Sequence, residues 1–144
     1  MGAVLLAVLA SVAAGPKDAV KKDLDRLQGT WVMESLEIDG QLIPEDKIKG
    51  TTLVIKGDKY TVKVKDQSFE TTFKLDPAKK PKAIDMYFAT SPAEAPKLAK
   101  GIYELDGDTL KLCRYQAPEK ARPTQFGSWP DTGLFVVVWK RQKK

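Results

Sequence analysis

The chain has 144 residues, a formal net charge of +5, a single cysteine and no histidine. That length is one domain's worth of chain. The missing imidazole excludes His-ligated zinc, Ser-His-Asp triads and Cys-His pairs together, and a lone thiol excludes an internal disulfide.

Residues 1–15, MGAVLLAVLASVAAG, hold no charged side chain. An apolar run followed by small residues at Ser11, Ala13 and Gly15 reads as a secretory signal cleaved near Ala13–Gly15, although a basic start is missing. The run is shorter than the ~20 residues a bilayer needs, so stable membrane insertion is not expected. No cysteine follows it to take a lipid, and Leu6 stands where a myristoylation motif has Ser or Thr. The expectation is an exported protein (periplasmic, cell-envelope or extracellular) whose single domain spans residues 16–144.

Residues 17–28 carry Val20, Leu24 and Leu27 at helical spacing, with Asp18 as a cap and Gly29 as a stop. After Gly29 the period becomes two. In Lys59–Lys65, Tyr60, Val62 and Val64 share one face against Lys59, Thr61, Lys63 and Lys65; residues 68–75 repeat the pattern with Phe69, Thr71, Phe73 and Leu75. Such alternation marks a sheet with one buried and one wet face. Further strands are expected at Thr30–Ile38, Thr51–Lys56, Lys82–Ala89, Gly101–Leu105, Thr109–Tyr115 and Gly133–Arg141. Turn residues at Gly57–Asp58, Asp66–Gln67, Asp76–Pro77 and Asp106-Gly107-Asp108 separate many of them. Eight strands so joined predict an all-β, antiparallel up-and-down barrel preceded by a short helix, since closure removes exposed edges. Three longer connections, 39–50, 90–100 and 116–132, are Pro-bearing; the first has one helical turn's worth of sequence at Pro44–Lys47.

The Lys clusters (Lys21–Lys22, Lys79–Lys80 with Lys82, and the tail Lys140, Arg141, Lys143, Lys144) lack interleaved aromatics. They read as solvated faces rather than as a nucleic-acid surface.

Leu27-Gln28-Gly29-Thr30-Trp31 places a Gly-x-Trp after a short helix and at the start of the first strand, and Arg141 ends the last strand. This resembles the lipocalin pattern, which implies an eight-stranded barrel with a late basic residue packed over the Trp. The chain also resembles a family of exported proteins, found mainly in planctomycete-type bacteria, that has no assigned activity. That likeness runs through Leu27–Trp31, Lys74–Pro77, Pro81–Asp85, Gly101–Leu105, Gly107–Cys113 and Arg122–Phe126. It implies a fold and a location but no reaction.

Inward-period positions give the candidate ligand-binding residues Trp31, Met33, Tyr60, Phe69, Phe73, Met86 and Tyr103, with Val62, Val137 and Trp139 beside them. Trp31 reads either as a cavity floor or as a plug under Arg141 held by a cation–π contact. Most of these side chains are large, so the barrel is either partly open or filled by its own residues. Asp85 interrupts an apolar strand. It either faces water, binds a ligand, or forms a structural ion pair with Arg122 or Arg114, because an unpaired buried carboxylate is costly. Cys113 lacks a nearby base and reads as an inert thiol packed against a loop or the helix rather than as a nucleophile, a redox thiol or an intermolecular disulfide.

No cofactor or metal is expected; Asp106-Gly107-Asp108 is too short for a calcium loop. No constellation singles out Asp, Glu, Lys or Tyr for catalysis, so an enzyme is not expected. The leading functional expectation is an exported binding module taking a small apolar or amphipathic molecule in the barrel mouth. The alternative is a cell-envelope structural or inhibitor-like interaction domain working through the three long loops.

Overall fold

The computed structural model describes residues 16–89 and 93–143. The export segment expected over residues 1–15 and Pro92 of the loop expected at 90–100 lie outside these residues. Helix α1 (Pro16–Leu27) buries Leu27 and packs Leu24 on the core, as its four- and three-residue spacing requires. Strand β1 (Gly29–Ile38) follows, then the two-residue β2 (Gln41–Leu42) and the single turn α2 (Glu45–Ile48). The remaining strands are β3 (Thr52–Lys56), β4 (Lys59–Val64), β5 (Gln67–Asp76), β6 (Lys82–Phe88), β7 (Lys97–Asp106), β8 (Thr109–Tyr115) and β9 (Leu134–Arg141).

Sequential neighbours pair antiparallel from β3 to β9. β1 pairs with β3 on one side and β9 on the other, which closes eight long strands into a barrel of the lipocalin-like type. β2 is a short addition folded back on the end of β1 through the Asp39-Gly40 turn, where both residues take positive φ (52° and 80°).

Alternate strand directions sort the connections by end. The turns at 57–58, 77–81 and 107–108 lie with α1 at one end. The connections 39–51, 65–66 and 116–133 lie at the other, which we call the mouth, as do the end of β6 and the start of β7.

Two departures from strict alternation shape the interior. Between Met33 and Ser35 the β1–β9 register slips by one residue. A period of two carried on from Trp31 and Met33 would aim Ser35 and Glu37 inward. The bulge aims Leu36 and Ile38 inward instead, where both line the mouth. Strand β7 also begins four residues earlier than the sequence pattern predicts. Lys97–Lys100 pair with Asp85–Phe88, and the small side chain of Ala99 is buried in the core opposite Met86. The Pro- and Ala-rich approach hides this strand, because local propensity there is overridden by pairing to β6.

The α1 end is filled. Trp31 is fully buried and its indole donates to the Leu27 carbonyl at 2.9 Å. The Arg141 guanidinium lies 4.3 Å from the ring centroid, donates from Nη1 to the Gln28 carbonyl at 2.9 Å and from Nη2 to the Arg26 carbonyl, and sits 3.5 Å from Asp108. One cation therefore satisfies carbonyls left free where α1 ends and covers the aromatic plug. The Trp31→Ala variant is expected to lose about 3–5 kcal/mol of stability and Arg141→Met about 1–3 kcal/mol, both read from urea unfolding midpoints.

Candidate functional site

Between β1, β4, β6, β8 and β9 the mouth half of the barrel holds a cavity of about 360 Å³. Its wall is almost entirely apolar, including Met33, Leu36, Val62, Met86, Val137 and Phe135. Trp139 and Tyr60 form its floor, tied by an indole-to-phenol hydrogen bond of 3.0 Å. Burial pushes the Tyr60 hydroxyl well above its ordinary range, so it stays a neutral phenol. Beyond that floor, the space among Leu27, Ile55, Phe73, Ile84, Tyr103 and Leu110 is too small to admit water. The barrel is thus filled at one end and open at the other.

Arg114 breaks the apolar lining. It lies on the inward face of β8 with Leu110 and Leu112, and it reaches both this cavity and a wider adjoining depression bordered by Phe69, Thr71 and Phe88. Its guanidinium carbon lies over the ring of Phe88 at 4.7 Å and over that of Phe135 at 4.6 Å. Nη1 donates to the carbonyls of Tyr115 at 2.8 Å and Gln116 at 3.4 Å. Nε is buried without a partner, and among the described residues no carboxylate forms an ion pair with this side chain. Desolvation lowers its pKa from the ordinary 12.5, yet a guanidinium keeps its proton at any physiological pH. Two cation–π contacts, worth about 0.5–2 kcal/mol each, offset part of the cost of that burial. Gly101 makes room for this arrangement, since a Cβ there would come within 3.3 Å of the Arg114 Cβ and 3.1 Å of the Cys113 carbonyl.

The expected ligand residues divide between the two ends. Met33, Tyr60 and Met86 line the cavity, as do Val62, Val137 and Trp139. Phe69 stands at the rim, 56% exposed. Trp31, Phe73 and Tyr103 belong to the filled half, so these three pack the barrel rather than face the mouth. The sequence pattern gave no hint of Leu36 and Ile38, which the bulge turns inward, or of Gln116 at the rim.

Tyr103 has a different partner. Its hydroxyl donates to Asp23 of α1 at 2.7 Å, and Lys82 reaches the same carboxylate oxygen at 2.8 Å. Burial alone pushes the Asp23 carboxyl up. The bonds from Lys82 and Tyr103 more than reverse this, leaving it below its ordinary 3.8. This cluster latches the helix to β6 and β7, and its only sequence signal was an acid on the polar side of α1.

Asp85 faces outward. Arg122 from the long loop meets it at 2.6 Å and also donates from Nη1 to the Gly101 and Ile84 carbonyls at 2.8 and 3.2 Å. Of the three readings open for Asp85, the geometry is that of the ion pair. The same loop covers Cys113, whose thiol points at the Gln125 and Gly127 carbonyls from 3.8 and 3.5 Å and is raised in pKa by burial. Ile102, Cys113 and Leu134 make a second small core outside the barrel wall, with Phe126 of the loop packed on it. Ser128 then ties the loop back by donating to Glu37 at 2.6 Å and accepting from the Gly40 amide at 2.8 Å. Residues 116–132 are therefore a strap along the outer wall.

Among the described residues, no cluster of three or more Cys, Asp or Glu side chains is placed to hold a metal ion. Comparison with protein families, with curated proteins and with solved structures finds no match to the chain. Fold and site themselves define the class: a lipocalin-like antiparallel barrel, filled at the helix end, with an apolar mouth that a half-buried arginine lines.

Two outcomes follow for the polar contacts. A double-mutant cycle on Asp85→Asn and Arg122→Ala is expected to show a coupling of about 1 kcal/mol in denaturant unfolding, modest because both groups are partly exposed. Because the folded-state pKa of Asp23 lies below its unfolded value, its contribution is complete above pH ~4 and is lost as pH falls through the folded value. In acid titrations followed by circular dichroism, Asp23→Asn is expected to be less stable at neutral pH and to lose less stability on acidification.

Proposed function

We propose that this protein is an exported binding module that takes a small amphipathic molecule into the barrel mouth. The observation that carries the reading is the apolar cavity of about 360 Å³ in a barrel filled at its helix end. That volume falls within the range of about 300–1,000 Å³ common to small-molecule pockets, as does a lining of aliphatic and aromatic side chains with few polar groups. The large exposed hydrophobics add support. Leu42 (69% exposed), Phe69 (56%) and Trp129 (43%) all belong to segments at the mouth end, where an apolar ligand would enter.

The resemblance to exported planctomycete-type proteins supports the location. The interaction-domain alternative fits less well, because the longest loop is committed to the barrel's own outer wall.

A neutral apolar fluorophore such as N-phenyl-naphthylamine tests the reading. Saturable binding at one site is expected. Val137→Trp, which fills the cavity at a folding cost of about 1–3 kcal/mol, is expected to abolish it while the far-ultraviolet dichroism is kept. Absence of saturable binding, or undiminished binding by Val137→Trp, overturns the proposal.

A further inference from the structure

We propose that the molecule held in the mouth is a carboxylate on an apolar tail, and that Arg114 is the residue that selects its head. This inference rests on the binding reading above and adds the ligand's chemical class.

The unused bonding capacity of Arg114 carries it. Nη1 is occupied by the Tyr115 and Gln116 carbonyls, while Nε has no partner and no bond from Nη2 exists among the described residues. Nε and Nη2 form one edge of the guanidinium, with two parallel N–H directions that match the two oxygens of a carboxylate. The rings of Phe88 and Phe135 lie 4.7 and 4.6 Å from the guanidinium carbon, and an anion is best met at the edge that carries the N–H groups. Nε is closed off from water by its neighbours, so engaging both nitrogens requires those neighbours to move aside.

The charge balance points the same way. Among the described residues lining the cavity, Arg114 alone carries a formal charge; the polar groups beside it are the Tyr60 phenol and Gln116. Glu70, at the border of the adjoining depression, is engaged by Lys59 at 4.0 Å instead. A cation left without a counter-charge in an apolar, partly enclosed space repels cationic heads, gains little from a neutral hydroxyl and gains most from an anion. A tail running from this point toward Val137 and Trp139 meets only apolar side chains and the buried Trp139–Tyr60 pair.

The test is titration calorimetry of the full chain with dodecanoate, dodecanol and dodecyltrimethylammonium, each below its micellar concentration. Dodecanoate is expected to bind about tenfold or more tighter than dodecanol, with the cation weakest. In Arg114→Met the acid is expected to fall to the alcohol's affinity while the alcohol binds as before or better. In Arg114→Lys, which keeps the charge without the fork, part of the preference is expected to survive. Equal binding of acid and alcohol by the unaltered protein overturns the head-group assignment and leaves the binding reading standing, and this comparison needs no variant to fold. A preference for the acid that persists in Arg114→Met overturns the role of Arg114. Failure of all three probes overturns the binding reading and this inference with it.

Discussion

Closure of the barrel at the helix end is the constraint on which the other features depend. β1 and β9 must meet for the sheet to close, and Trp31 and Arg141 sit opposite each other in that seam. The Arg141 guanidinium covers the Trp31 ring and binds the carbonyls where α1 ends, so the seam, the plug and the helix are fixed by one side chain. Asp23 supplies a second tether from the helix to Lys82 and Tyr103 across the barrel end. With the core's largest aromatic plug placed there, the remaining interior volume falls at the mouth. The cavity is thus a consequence of where the barrel is filled.

The long loops follow a parallel logic. A barrel wall normally presents polar side chains outward, but β7, β8 and β9 present Ile102, Cys113 and Leu134 there. Those side chains need a cover, and the strap of residues 116–132 supplies it. Arg122 is its fastener. It binds two strand carbonyls and the Asp85 carboxylate, joining the loop to β6 and β7 at once. The strap lies along the wall and ends at Ser128 beside Glu37.

Much of this architecture is legible in the residues. The alternation in Lys59–Lys65 and residues 68–75 reports β4 and β5 directly, and the Gly-x-Trp after a helical stretch reports the start of the barrel. The site is less legible, for two physical reasons. A single bulge near Glu34 swaps Ser35 and Glu37 for Leu36 and Ile38 on the inner face, and a register slip leaves no mark in the pattern that precedes it. Periodicity also gives the face of a residue but not its depth along the barrel. Trp31, Phe73 and Tyr103 share the inward face with Met33, Tyr60 and Met86, yet the first three lie in the filled half and the others line the mouth. Depth is set by strand tilt and by which end the helix closes.

Arg114 shows what that limit costs. Its alternation with Leu110 and Leu112 places it on their face of β8, and the sequence leaves Asp85 open to pairing with either Arg122 or Arg114. The structure gives Asp85 to Arg122 on the outside of the wall, and among the described residues Arg114 is met by aromatic rings and carbonyls. An apolar residue of similar length would fill the same space without the desolvation cost, so stability alone does not explain a guanidinium there. A cation retained under that cost, at the junction of an apolar cavity and its mouth, is accounted for by an anion that arrives from outside. The barrel supplies the apolar surroundings that make such a pairing strong, and the filled end sets how far the rest of the molecule can enter.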